Sequence, residues 1–249
     1  MVNIKAWLWI ALAVVLGVTS IFFVDLPVSR FCVEHPDWGT WKELRRWIML
    51  CEFFGYGASP VIVWWMIFRM DPARRSRMGV VALVFILCGV APNLIKAGIS
   101  RYRPAFFFTK IESNAEIGDV TVTETGADCA SGIRRAATGL DAFTMSPVPA
   151  VSRNARGSFP SGHSATAWGC TLVLMVFYPR GRNIFIFFAV MVMVQRVVCG
   201  AHFVSDTLIG AALAGAIVML LVSVLRGPGS SQNPGHENAG SDIHHFRRR

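Results

Sequence analysis

The sequence predicts an all-α fold, a bundle of six transmembrane helices with a long outer loop between the third and the fourth. Of its 249 residues, 53% are hydrophobic and 16% are charged, whereas an ordinary soluble domain has roughly 25% charged residues. A mean hydropathy of +0.48 means more apolar surface than a soluble globule of this size can hide from water. In addition, six apolar stretches approach the ~20 residues that a helix needs to cross a bilayer.

The six predicted spans divide the chain into a membrane domain, residues 1–226, and a tail. They cover residues 6–24, 51–68, 79–95, 162–178, 184–198 and 207–225. The fourth span is short, and the fifth contains Gln195 and Arg196 near its end. A cleaved signal peptide is the alternative for the first span. It is disfavoured because the apolar run after Lys5 is long and lacks an Ala-x-Ala-like cleavage site.

Arginines in two short loops predict the orientation of the chain. The loops between spans 2 and 3 and between spans 4 and 5 contain Arg69, Arg74, Arg75 and Arg77, and Arg180 and Arg182, respectively. Such loops stay in the cytoplasm, and an even number of spans places both termini there. The first outer loop is also basic, but a capping box of Thr40 and Glu43 predicts an amphipathic helix at the membrane interface.

Two segments lie outside the predicted helices. The polar stretch 101–159 is too long for a simple connection, and loops of such length are usually functional or disordered. Residues 227–249, rich in Gly, Ser and Asn and ending in three arginines, predict a disordered basic tail. The cysteines show no zinc-type spacing, and a disulfide between Cys32 and Cys129 stays open.

Three polar clusters flank the spans. They cover residues 96–104 after the third span, 159–164 before the fourth, and 196–206 between the fifth and the sixth. Because the third and fifth spans cross in one direction and the fourth in the other, all three clusters lie on one membrane face.

The charges of these clusters indicate an anion site. They contain four cations, two histidines and one carboxylate, namely Lys96, Arg101, Arg103, Arg196, His163, His202 and Asp206. Clustered cations with so little counter-charge attract anions. Phosphoryl transfer in particular is catalysed mainly by positioned cations. A phosphorylated substrate, anionic lipid or nucleic acid can each account for the net charge of +9, and the position of these cations makes nucleic acid unnecessary.

Each residue type also has a role in phosphate chemistry. Ser161 and Gly162 open a helix, whose free N–H groups and dipole attract anions, and Ser161 is a helix cap. His202 and Asp206 are four residues apart and share one face if helical, so that the carboxylate can orient the imidazole. A neutral His202 is then a nucleophile, and His163 is a general acid.

Other interpretations remain open. Considered one at a time, Lys96 and Arg103 are typical of basic residues that anchor the end of a span at the membrane interface. Each histidine alone is typical of a hydrogen-bonded packing residue. An intramembrane serine hydrolase would use Ser161 with His202, although the Gly-x-Ser-x-Gly motif is missing. A metal site of both histidines and Asp206 would be opposed by the nearby cations. A non-enzymatic anion transporter or lipid-binding protein is the remaining alternative. No metal or other cofactor is predicted.

As a set, the clusters resemble the signature of the type 2 phosphatidic acid phosphatase superfamily, which also includes vanadium haloperoxidases. The signature reads K-x6-R-P, P-S-G-H and S-R-x5-H-x3-D. Its parts match Lys96 to Pro104, Pro160 to His163, and Arg196 to Asp206. Gln195 stands where the signature has its serine.

This resemblance implies a metal-independent lipid phosphatase without cofactors. It implies phosphate contacts by Lys96, Arg103, Ser161, Gly162 and Arg196. It further implies that His202 forms a phosphohistidine, Asp206 supports it and His163 protonates the leaving group.

The resemblance also implies a location and a class of substrate. Small bacterial six-span members include lipid A phosphatases, and the run Gly200 to Asp206 resembles theirs. Lipid A is narrowly favoured over isoprenyl diphosphates, phosphatidylglycerol phosphate and phosphatidic acid. The site would then face the periplasm from the bacterial inner membrane, and the partners would be the bilayer and the lipid substrate. The oligomeric state stays open.

Overall fold

The protein is mostly helical. The structure, a computed structural model, describes residues 4–35, 42–108, 138–144 and 156–226. The α-helices include α1 (Ile4–Phe23), α2 (Asp25–Glu34), α3 (Lys42–Leu50), α4 (Ala58–Met70), α5 (Met78–Gly98), α6 (Gly162–Phe177), α7 (Arg182–Val198) and α8 (Val204–Arg226). The 3-10 helices in the described ranges are Cys51–Gly55, Pro72–Arg77, Gly139–Ala142 and Pro179–Gly181.

A short two-stranded sheet accompanies the helices. Strands β1 (Ser100–Arg101) and β2 (Phe143–Thr144) are antiparallel, with Ser100 opposite Thr144 and Arg101 opposite Phe143. Arg101 also forms a parallel bridge with Gly157. The sheet therefore joins the first polar cluster to the segment before the second.

Helices occupy the apolar stretches, but they differ in length. Within the described residues, Ile4–Phe23, Pro72–Gly98, Pro179–Val198 and Val204–Val222 are long and apolar enough to cross a membrane. A fifth span results if the bent pair Lys42–Gly55 and Ala58–Met70 counts as one. Helix α6 is apolar but has only 16 residues. The protein is thus a helical membrane protein, and the count of six spans stays a prediction.

The predicted span over residues 51–68 is not a straight helix. Residues Cys51–Gly55 form a 3-10 helix, α4 begins only at Ala58, and the chain bends by 65° between them. The physical reason is close packing at Gly55. A Cβ atom there would lie 2.8 Å from Val192 and 3.0 Å from the Cβ of His163, so only glycine lets this turn contact α6 and α7.

A serine stabilises the bend. Ser59 provides donors for two carbonyl oxygens: its hydroxyl oxygen lies 3.0 Å from that of Phe54 and 2.6 Å from that of Tyr56, and its backbone N–H donates to that of Tyr56 at 3.0 Å. Inside a membrane these carbonyls have no water to bind, so a side chain must satisfy them. The bend therefore carries no unsatisfied carbonyl at these two positions.

Helix α8 lies at the centre of the bundle. It packs against α1, α5 and α6. The main core consists of residues from α4, α5, α6 and α8: Ile67, Met78, Val81, Val84, Phe85, Cys88, Ala165, Cys170, Val173, Phe177, Ala214 and Val218. Close contact between α8 and the start of α6 depends on Gly210, where a Cβ atom would lie 2.5 Å from the carbonyl oxygen of Ser161.

The outward faces of the helices are apolar. On α1, Trp9 is 71% exposed and Phe23 is 74% exposed. A soluble protein rarely exposes so much contiguous apolar surface, and a lipid environment accounts for it.

Arginine contacts join the two predicted cytoplasmic loops. Arg74 pairs with Asp71 and donates to the carbonyl oxygen of Phe177 at 2.7 Å. Its guanidinium also lies 4.7 Å from the ring centre of Tyr178. Both loops thus lie at the same end of the bundle.

Several predicted features fall partly or wholly outside the described residues. Helix α3 forms where the sequence predicts an amphipathic helix, with Trp47 68% exposed, whereas Thr40 of the capping box lies outside the described residues. The same holds for most of the long loop, for Cys129 and for the tail 227–249.

Candidate active site

The three polar clusters meet at one end of the bundle. Backbone hydrogen bonds join them, from Ser158 N to Arg101 O at 3.1 Å, from Ala105 N to Gly200 O at 3.1 Å and from Ser161 N to the carbonyl oxygen of Asp206 at 2.9 Å. These bonds tie the ends of α5, α6, α7 and α8 together. Every predicted site residue lies at or beside this junction.

The start of α6 forms one wall of the site. Ser161 is the N-cap, as predicted, and its Oγ accepts from Ser164 N at 3.3 Å and from Ser164 Oγ at 3.0 Å. Lys96 reaches this helix end, because a Cβ atom at Gly162 would lie 4.0 Å from Lys96 Nζ. A helix N-terminus and an ammonium group therefore face the same space, which favours an anion.

Two guanidinium groups add unsatisfied donors. Arg103 and Arg196 interact electrostatically with each other and with Lys96 and His163. Burial lowers the pKa of Arg103, and the charge of Arg196 lowers it further. The Nε atoms of both arginines are buried and have no hydrogen-bond partner. Buried donors are rarely left unpaired, so these two Nε atoms are available to hydrogen-bond an anionic ligand.

Arg101 does not contribute to this cation cluster, contrary to the charge pattern of the sequence. Its guanidinium is fully buried and donates from Nη2 to Asp25 Oδ2 at 2.7 Å and from Nη1 to Asp206. It is packed between the rings of Phe143 and Phe203, at 4.4 and 4.1 Å. Its charge is therefore used inside the protein.

His202 lies in a turn and therefore does not share a helix face with Asp206, although the two side chains are neighbours. Helix α7 ends at Val198 and α8 begins at Val204. Gly200, with φ of +67°, reverses the chain between them, and only glycine adopts this conformation easily. The backbone N–H of His202 then donates to the carbonyl oxygen of Arg196 at 3.1 Å.

The backbone determines the tautomer of His202. Its Nδ1 lies 2.6 Å from the carbonyl oxygen of Ser158 and 3.8 Å from Asp206 Oδ2. Because a carbonyl oxygen only accepts, Nδ1 carries the hydrogen and Nε2 keeps its lone pair. Burial lowers the pKa of His202 to about 4, so the ring is neutral at neutral pH.

Asp206 organises the residues around His202. Its side chain accepts hydrogen bonds from Arg101, from Ser158 Oγ at 2.5 Å and from Phe203 N at 2.9 Å. The carboxylate therefore positions the segment that presents the Ser158 carbonyl, and its charge lies near the imidazole.

Sequence reasoning missed a carboxylate at the site. Glu52 Oε1 accepts from Arg196 Nη1 at 2.6 Å and lies 4.0 Å from His163 Nε2, and its Oε2 accepts from Gln195 Nε2 at 3.1 Å. The signal was present, because Glu52 falls inside a predicted span, where ionisable residues are costly and usually functional. The contribution of Ser158 has no such signal, because it is made by a backbone carbonyl.

Across residues 4–35, 42–108, 138–144 and 156–226, no three His, Cys, Asp or Glu side chains are grouped so that they could bind a metal ion.

Comparisons with known proteins agree with these motifs. Two relatives, each named lipid A 1-phosphatase, come from Rhizobium etli and Rhizobium johnstonii. They are 29% identical to the chain over 139 and 140 residues, 56% of the chain in each case. The aligned parts are 46% and 44% of those proteins, so the chain spans about half the length of the relatives that it matches. No solved structure gave a significant match.

The family comparison covers the site. The model of the PAP2 superfamily matches residues 77–228, which include all three polar clusters and more than half of the chain. The protein therefore belongs to the PAP2 superfamily.

Proposed function

We propose that the protein is a metal-independent lipid phosphatase that removes phosphate from a lipid headgroup through a phosphohistidine. The observation that carries this proposal is the cluster of Lys96, Arg103 and Arg196, with two unsatisfied buried Nε donors, beside a neutral His202. A phosphate dianion would satisfy these donors and charges, and an imidazole lone pair is a nucleophile for phosphorus.

In the first step, Nε2 of His202 attacks the phosphorus atom. The bond between phosphorus and the lipid oxygen breaks, and its electron pair stays on that oxygen, which takes a proton from His163. The three cations, the Ser161 hydroxyl and the N–H group of Gly162 stabilise the charge on the phosphoryl oxygens. The Ser158 carbonyl and Asp206 stabilise the imidazolium.

In the second step, water hydrolyses the phosphohistidine. Neutral His163 removes a proton from water as its oxygen attacks phosphorus. The bond between phosphorus and Nε2 breaks, and its electron pair returns to the His202 ring. Inorganic phosphate leaves, and His163 is again protonated for the next substrate.

Lipid A is the substrate that we narrowly favour. Two relatives with 29% identity are named lipid A 1-phosphatase, which supports this choice. Isoprenyl diphosphates, phosphatidylglycerol phosphate and phosphatidic acid are the alternatives, because the residues of the site contact the phosphate and not the lipid tail.

The proposal includes an arrangement in the membrane. Residues 1–226 form one domain with six spans, both termini are cytoplasmic, and the site faces the periplasm from the bacterial inner membrane. In support of this, the arginine-rich turns Pro72–Arg77 and Pro179–Gly181 lie at the ends of α5, α6 and α7 opposite the site. Basic loops favour the cytoplasmic side.

A panel of phosphorylated lipids tests the function. Purified protein is incubated with lipid A, an isoprenyl diphosphate, phosphatidylglycerol phosphate and phosphatidic acid, and the products are identified by mass. Release of phosphate from one or more lipids is the expected result, with lipid A turned over fastest. No turnover of any of the four would refute the phosphatase proposal.

Replacing Ser161 with alanine separates the phosphatase from a serine hydrolase. Ser161 bonds to Ser164, and among the described contacts it makes none with His202. We expect Ser161→Ala to lower kcat/KM by roughly tenfold, because one helix cap and one phosphate contact are lost. Phosphate release is the measurement. Loss as complete as that of a His202 variant would favour Ser161 as nucleophile.

The pH dependence tests whether His202 reacts in its neutral form. Burial disfavours the imidazolium and lowers the pKa of His202 from its ordinary value of 6.5 to about 4. The imidazole of His202 therefore stays neutral and nucleophilic as the pH falls from 6.5 to 4, and it becomes protonated only below pH 4. We expect kcat/KM, corrected for the ionisation of the lipid phosphate measured by 31P NMR, to fall near pH 4. A fall near pH 6.5 would contradict the burial argument.

A further inference from the structure

The bend in the second apolar segment delivers a carboxylate to the cation cluster. Glu52 lies in the 3-10 helix Cys51–Gly55, which Gly55 allows to pack directly on α6 and α7. A straight helix over this segment would not make these contacts. The sharp turn and the glycine contact thus place the negative charge of Glu52 at the site.

Glu52 occupies a donor of Arg196 that phosphate would otherwise use. Its Oε1 accepts from Nη1 of Arg196 at 2.6 Å, and its Oε2 is held by Nε2 of Gln195 at 3.1 Å. The rest of the guanidinium is weakly used, because Nη2 donates to Cys199 Sγ at 3.2 Å and Nε has no partner. The strongest contact of Arg196 is therefore an internal carboxylate.

When Glu52 is included, the net charge of the cation cluster balances that of a phosphate dianion. Asp206 forms its ion pair with Arg101. Among Lys96, Arg103 and Arg196, the described structure shows an ion pair at Arg196, and its partner is Glu52. Within the set of Lys96, Arg103, Arg196 and Glu52, three cations and one carboxylate leave two positive charges, which balance the two negative charges of a phosphate monoester dianion. Without Glu52 a third would remain, and inorganic phosphate would be bound more tightly.

We propose that Glu52 is an internal counter-ion, which neutralises Arg196 in the empty site and is displaced from it by phosphate. It is a positioning residue, and it weakens phosphate binding so that the product can leave. This inference rests on the proposed phosphatase activity for its biological meaning. Its physical content, a competition between a carboxylate and phosphate for Arg196, is testable without turnover.

The test measures the binding of inorganic phosphate by wild type and Glu52→Gln. Phosphate that binds the folded protein raises its unfolding temperature, and the concentration dependence yields Kd. Glutamine keeps the shape of the side chain and removes its charge. We expect Kd to fall by about three- to tenfold, since a partly exposed ionic competitor is removed. Damage to the structure would change Kd in the opposite direction.

Glu43→Gln is the matched control. Glu43 belongs to the same segment and forms an exposed ion pair with Arg46 at 2.5 Å, so this variant removes the same charge away from the site. Its Kd for phosphate should equal that of wild type. A fall of similar size in Glu43→Gln would indicate a general charge effect and would overturn the inference.

The remaining outcomes are equally decisive. An unchanged or higher Kd in Glu52→Gln overturns the inference. If that variant does not fold, Glu52→Ala is measured with the same expectation, and failure of both to fold would make Glu52 a structural residue. If lipids are not hydrolysed but Kd falls in Glu52→Gln, the phosphatase proposal fails and the counter-ion remains. If lipids are hydrolysed and Kd does not fall, only the counter-ion is refuted.

Discussion

Replacing His202 with alanine is expected to abolish lipid phosphate hydrolysis, with kcat lowered by roughly three orders of magnitude or more. The covalent intermediate needs the Nε2 lone pair, which the bond from Nδ1 to the Ser158 carbonyl at 2.6 Å leaves free. Phosphate release is the first measurement. The second is trapping: 32P from labelled lipid should remain on wild-type protein after rapid quenching under alkaline conditions and should be absent from His202→Ala.

A second histidine provides the control for this variant. His35 lies at the end of α2, is exposed and stacks on Phe31 with ring centres 4.8 Å apart. His35→Ala should leave kcat and the trapped label unchanged. If His202→Ala keeps a tenth or more of the activity, or if label is trapped on it, another residue is the nucleophile.

Replacing Arg101 with methionine is expected to lower the stability of the protein by about 3–5 kcal/mol, the usual cost of leaving a buried charge unpaired. Arg101, Asp25 and Asp206 are all fully buried. Burial raises the pKa of Asp25, and the charge of Arg101 together with the hydrogen bonds of Ser205 opposes that shift. Without Arg101, two carboxylates remain in the interior without a cation.

The measurement is the thermal unfolding of purified protein in detergent. Arg46→Met is the control, because Arg46 and its partner Glu43 each expose 73% of the side chain, and exposed pairs contribute only about 0–1 kcal/mol. The unfolding temperature should fall clearly for Arg101→Met and hardly for Arg46→Met. Equal unfolding temperatures for the two variants would show that the buried network contributes no more than a surface pair.

The helices could be predicted from the sequence because burial in lipid is a local requirement. A segment of apolar residues has to satisfy its backbone internally, and a helix does so whatever its neighbours are. The apolar stretches therefore coincide with helices such as α1, α5 and α8. The bend before α4 was not predicted, because it depends on the contact of Gly55 with Val192 and His163, residues that are distant in sequence.

The site shows the same division. Spacing and residue type predicted an anion site that includes Lys96, Arg103 and Arg196 beside the helix start at Ser161 and Gly162, and the family resemblance implied that these residues contact phosphate. Their convergence at one end of the bundle follows from the alternating direction of successive spans. Both the motifs and the direction of the spans depend only on the order of residues along the chain. The motifs also indicated the family.

Partners that come from distant segments were beyond the reach of the sequence. Two arginines that are close in the chain differ in the fold: the guanidinium of Arg101 is paired with Asp25 and Asp206, whereas that of Arg103 lies near the cations Arg196 and Lys96. The carboxylate on Arg196 is Glu52, 144 positions earlier. The charges along a chain indicate the class of ligand that it attracts. A charged side chain is available to that ligand only if it does not form an ion pair inside the protein. Which groups meet is set by packing between helices.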